Sequence, residues 1–182
     1  MLFYIEVTFL SEKVMISRST TKALTLGAML TALALIFSYI EFLIPLSIGI
    51  PGIKLGFANI VIVYSLYKLG PRHALMVDIC RVLLSGLLFG SVFSTLYAMA
   101  GALLSLLGML LLKKTDVFTT AGVSVAGGVL HNLGQIIVAV FVVETAQVFA
   151  YFPVLVFSGI ITGAINGIIS TLCLKKTEKV RI

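Results

Sequence analysis

From Ala23 to Ile44 the chain holds one charged residue, Glu41, and similar apolar runs recur almost to its end. An apolar run of about 20 residues matches the thickness of a bilayer core. A chain built of several such runs has to satisfy its backbone polar groups within helices, because lipid offers none in return. Breakers separate the runs: Pro45, Gly49, Pro51 and Gly52, then Gly70-Pro71, then Gly90, then Lys113-Lys114. They predict six spans, over about 23–44, 55–69, 73–89, 92–112, 118–143 and 153–174. The expected fold is an all-α integral membrane bundle forming one domain. Residues 1–22 precede it and a basic tail, 175–182, follows. For residues 1–14 two readings stand: an upstream extension with translation starting at Met15, or a short amphipathic segment on the membrane.

Composition excludes the soluble classes. Only 11% of the 182 residues are charged and mean hydropathy is +1.18, whereas soluble chains carry about 25% charged residues. The net charge of +6 therefore does not imply nucleic acid. Eleven of the 13 basic residues fall before the first run, between the second and third, between the fourth and fifth, and after the sixth. Basic residues mark the cytoplasmic side, so both termini are expected in the cytoplasm, with the loops at 45–54, 90–91 and 144–152 outside. Cys80 and Cys173 lie in separate apolar runs and read as small packing residues. No Cys/His cluster suggests a metal.

The polar residues inside the runs are the candidate site. Lys54 and Asn59 flank the start of the second run in Pro51-Gly52-Ile53-Lys54-Leu55-Gly56-Phe57-Ala58-Asn59. A charge and an amide at the mouth of a membrane helix need water, a partner or a ligand. The stretch reads as the lip of a binding site or as a turn with a snorkelling lysine. Asp78 and Arg81 share a helix face; they form a structural ion pair, or leave Arg81 to meet an anionic substrate. His131 and Gln135 share another face, with Asn132 adjacent, among Gly127, Gly128 and Gly134. These three point to a ligand, with interhelical hydrogen bonds as the alternative. Glu41 can fold over a pocket or sit solvated at the interface. Asn166 reads as a helix-to-helix contact. The candidate substrate-binding set is thus Glu41, Lys54, Asn59, Arg81, His131, Asn132 and Gln135. There is no Walker A loop, no aspartate-rich DDxxD segment and no defensible catalytic triad, so no catalytic residue and no cofactor is assigned to this chain.

Three segments, PGIKLGFAN, DICRVLLSGLLFG and GVSVAGGVLHNLGQ, resemble the bacterial Gx transporter family, also labelled heptaprenyl diphosphate synthase component I. The resemblance covers about residues 18–175. That family is similar to the substrate-binding S components of energy-coupling factor transporters, which are six-helix proteins with both termini inside. The resemblance implies a protein of the bacterial cytoplasmic membrane that captures a vitamin, a cofactor precursor or an isoprenoid-related small molecule. It also implies partners: a transmembrane T component, docked on an AxxxA motif that Ala28 and Ala32 match, and ATPases that use ATP in trans. The alternative is a non-catalytic membrane partner of a heptaprenyl diphosphate synthase.

Overall fold

A computed structural model describes residues 2–44 and 56–179, with side chains of the first helix described from residue 20 onward. It is all-helical over those residues: α1 (Leu2–Leu43), α2 (Phe57–Lys68), α3 (Pro71–Leu88), α4 (Val92–Lys114), α5 (Thr120–Val143) and α6 (Phe152–Lys176), with a 3-10 turn at Ala146–Tyr151 before α6. The helix boundaries follow local chemistry. Pro71 opens α3 at a position where no N–H is needed. Ser91 and Ser94 form a reciprocal capping box at the start of α4, and the Thr119 hydroxyl accepts from Gly122 N–H at the start of α5.

Four helical stretches are long and apolar enough to cross a membrane: Thr20–Leu43, Val92–Lys114, Thr120–Val143 and Ala146–Lys176. Six spans were expected, the second of them over only about 55–69, and the two helices outside this set of four have physical causes for it. α2 has 12 residues, about 18 Å at 1.5 Å per residue, short of a hydrocarbon core of about 30 Å. Seven of those residues are buried, from Ala58 to Leu66, so protein rather than lipid surrounds this helix. α3 is longer but carries Arg72, Asp78 and Arg81. α1 also runs from Leu2, well ahead of the first span expected from about residue 23.

The helices close a ring in the order α1, α3, α4, α5, α6, α2, with α2 also touching α3. The apolar core occupies one half of it. Leu66, Ala74, Val77, Leu106, Met109 and Val123 meet there, from the C-terminal halves of α2 and α4 and the N-terminal halves of α3 and α5. Lysines close that same end. Lys68 Nζ donates to Thr177 O at 2.6 Å, and Lys113 Nζ donates to Leu66 O at 2.7 Å while lying 4.5 Å from the Tyr67 ring centre. Both supply donors to carbonyls at helix C-termini, where positive charge is favoured. Outward side chains are strongly apolar: Leu87, Phe141 and Phe157 are 84%, 77% and 70% exposed. Such a surface suits lipid rather than water. Cys80 and Cys173 belong to it; both are exposed, not the packing residues that their apolar surroundings suggested.

Contact between α4, α5 and α6 depends on glycine. In lipid there is no hydrophobic drive between helices, so close backbone approach has to supply the attraction. A methyl group on Gly163 would sit 2.7 Å from Val125 Cα, one on Gly167 2.6 Å from Ala121 Cα, and one on Gly134 2.6 Å from Ala100 O. Gly27 on α1 has nothing within 4 Å of that position. Gly163→Ala is therefore expected to destabilise the protein by about 1–3 kcal/mol through overpacking. Gly27→Ala should leave thermal stability unchanged or slightly higher. Thermal unfolding of the two purified variants in one detergent checks this pair.

Candidate functional site

The half of the bundle away from the lysines is hollow. A cavity of about 540 Å³ is lined by the C-terminal ends of α1 and α3, the N-terminal ends of α2 and α4, the middle of α5 and Thr162 of α6. Its size falls within the range of small-molecule sites, but its wall is unusual, since such sites are mostly apolar. Twelve of the 21 lining residues carry polar side chains. In a protein coated with apolar residues, that many polar groups facing one space constitute a candidate ligand site.

Six of the seven residues expected to bind substrate line this one cavity: Glu41, Asn59, Arg81, His131, Asn132 and Gln135. They come from α1, α2, α3 and α5, so only the folded bundle brings them together. Lys54 lies outside the described residues, as do Pro45, Gly49, Pro51 and Gly52.

Each of the six has a distinct setting. Glu41 Oε1 accepts from Phe57 N–H at 2.6 Å. Phe57 is the first residue of α2, so this carboxylate satisfies an orphan donor and meets the positive end of that helix dipole. Gly56 precedes it in the left-handed region, φ 71°, ψ 30°, where glycine carries no steric cost. The Gly56 carbonyl accepts from Asn59 N–H at 2.8 Å and from Asn166 Nδ2 at 2.9 Å. Asn166 thus makes the helix-to-helix contact expected of it. Arg81 Nε and Nη2 donate to Asp78 Oδ1 at 3.1 and 2.5 Å. The pair is buried, with Arg81 at the cavity wall and Asp78 behind it. His131 Nε2 and Gln135 Nε2 lie 3.2 Å apart, one turn apart on α5 as their spacing requires.

Asn132 lines the cavity and also makes the interhelical bond that was its alternative reading. Its Nδ2 donates to Leu155 O on α6 at 2.7 Å, so at least half of this amide holds two helices together, and Oδ1 is left for the cavity. Ala28 and Ala32 are both exposed on α1, beside Met29 and Leu33, while Leu30 and Ala34 on the opposite side are buried. The small residues thus face out of the bundle.

Several lining residues were not singled out from sequence. The hydroxyls of Ser85, Ser91, Ser94 and Thr95 ring the α3–α4 turn, and Phe42 packs on Phe89 at 5.3 Å between ring centres. Ser38 contributes a buried hydroxyl with no hydrogen-bond partner among the described residues. The signal available was the segment FGSVFST, in which serine and threonine crowd the turn between two apolar runs.

The two amides of α5 separate structure from binding. Asn132→Ala is expected to lower stability by about 0.6–1.7 kcal/mol, the range of hydrogen bonds between membrane helices. Gln135→Ala, whose partner is on its own helix, should cost less. Equilibrium unfolding of both variants in mixed micelles measures the difference.

No curated protein and no solved structure matches the chain. The sequence profile of one family does, the one described as heptaprenyl diphosphate synthase component I, over residues 30–173. The match begins inside α1, ends near the close of α6, and contains every described cavity residue. On that extent the chain, an all-helical protein with membrane-crossing helices, belongs to the heptaprenyl diphosphate synthase component I family.

Proposed function

We propose that this protein is a membrane substrate-binding subunit, similar to the S component of an energy-coupling factor transporter. It would take up a small molecule of the vitamin, cofactor-precursor or isoprenoid-related kind. The observation that carries this reading is the polar cavity within an apolar bundle, placed at the end opposite the lysines. Lys68, Lys113, Lys114, Lys175 and Lys176 all lie at helix C-termini on the other end, which supports a cytoplasmic position for that end. The protein then resides in the bacterial cytoplasmic membrane with six passes and both termini inside, α2 and α3 passing through an interior that neighbouring helices shield. The cavity faces outward and receives its ligand there. The chain supplies binding and no catalysis. Energy comes from ATP used by partner ATPases, coupled through a T component that docks on the exposed Ala28–Ala32 face.

The family description favours a second reading, a non-catalytic membrane partner of heptaprenyl diphosphate synthase. Deleting the gene separates the two. The second reading requires loss of prenyl-chain synthesis with uptake of vitamins intact; the first requires the reverse.

Two further outcomes are expected. With Cys80 and Cys173 replaced by serine, a cysteine at Gln147 should react with an impermeant maleimide in intact cells, and one at Thr115 only after lysis. Labelling of Thr115 from outside would defeat the assigned orientation. Ala28→Leu or Ala32→Leu should abolish co-purification with a T component while the isolated protein keeps its thermal stability. Survival of the complex with both changes would remove the docking assignment.

A further inference from the structure

The cavity wall carries a cation with hydrogen-bond donors to spare. Two charged side chains line it among the described residues, Arg81 and Glu41. The Glu41 carboxylate is already engaged with Phe57 N–H at the positive end of α2. Arg81 is arranged differently. Both of its donating nitrogens, Nε and Nη2, converge on a single oxygen, Asp78 Oδ1. A guanidinium has five N–H donors in a planar fork, so Nη1 remains with no hydrogen-bond partner among the described residues. Asp78 does not reach the cavity wall. The pair therefore turns its positive member toward the empty space and keeps its negative member behind.

The same wall offers a place for a ring. Phe42 and Phe89 line the cavity and pack 5.3 Å apart, with Phe89 also 5.4 Å from Tyr39. Asn59 and Gln135 add carboxamides that can donate or accept. Arg81 is the single cation lining the cavity among the described residues, and it shares its charge with Asp78, so it can offer donors to one carboxylate but cannot balance the several charges of a diphosphate.

Resting on the reading of this cavity as a small-molecule site, we propose that its ligand is a planar organic monoanion of the carboxylate class. Arg81 binds the carboxylate through its open Nη1 edge. Asp78 is a positioning residue: it holds the guanidinium against the wall and shares its donors until a ligand arrives. A charge-assisted hydrogen bond from a guanidinium to a carboxylate is among the stronger polar contacts available at such a depth.

The test uses the full chain in lipid nanodiscs, with fluorine NMR titrations of para-fluorobenzoate, para-fluorobenzamide and para-fluorobenzylamine. These three probes share a ring and differ in charge. The benzoate is expected to bind best, and Arg81→Gln to weaken it roughly tenfold or more. Asp78→Asn, which releases Nε and Nη2 for the ligand, is expected to tighten benzoate binding severalfold, an effect that loss of a merely structural ion pair would not produce. Removing one member of a buried pair can prevent folding, so the double variant Asp78→Asn/Arg81→Gln, which buries no lone charge, is measured alongside. Benzoate affinity unchanged in that folded double variant overturns the proposal. So does equal or tighter binding of the benzamide or the benzylamine, although the cavity then stands as a small-molecule site. Binding of none of the three probes overturns the cavity reading and this inference together.

Discussion

The bundle depends on how the N-terminus of α2 is satisfied. A helix that begins inside a membrane protein exposes orphan N–H groups where no bulk water can reach them. Here α1 supplies Glu41 to Phe57 N–H, and α6 supplies Asn166 to the Gly56 carbonyl. Gly56 makes both contacts possible by turning through the left-handed region, where a side chain would be strained. Ser170 of α6 adds a second bond, to Ile60 O. The short central helix is in this way tied to the first and last helices, which are far apart in sequence. The ring of six helices closes through it.

The two halves of the bundle do different work. Toward the lysines, apolar side chains from five helices meet and lysine amines close the C-terminal carbonyls. Toward the other end the same helices are held at their margins by glycine contacts and by the bond from Asn132 of α5 to Leu155 O of α6, leaving the interior open. A packed half gives rigid support to groups in the hollow half, as a preorganised binding site requires. Asn59 shows the link directly. It lines the main cavity and also a small void of about 10 Å³ beneath it, with Ser105, Ser124 and Asn166. That space is about enough for one water with several polar partners.

The family name and the cavity pull in different directions. The name points to prenyl diphosphate chemistry. The cavity wall is rich in amides and hydroxyls, with one arginine backed by an aspartate. A long prenyl chain is apolar and would leave those buried polar groups without partners, at about 1–3 kcal/mol each. Capture of a small polar solute accounts for the wall with fewer conflicts, which is why that function is the one proposed.

The sequence by itself determined the class and most helix boundaries. Apolar run length, glycine and proline breaks and lysine stops are local properties, and they place α3 to α6 within a few residues. It also marked six cavity residues, because a polar side chain in an apolar run is costly wherever it lies. Tertiary structure decided what each of them does. Spacing placed Asn132 beside His131, but only the approach of α6 assigns its amide to Leu155 O. Glu41 read as an acid folded over a pocket or solvated at the interface, and only the approach of α2 gives it Phe57 N–H. Phe42, Phe89 and the α3–α4 hydroxyls carry no cost visible in one dimension, since aromatic and hydroxyl groups are ordinary at helix ends. Why so short a helix as α2 suffices is likewise a property of its surroundings. A helix packed against α1, α3 and α6 need not match the bilayer, and that packing is a fact no local pattern encodes.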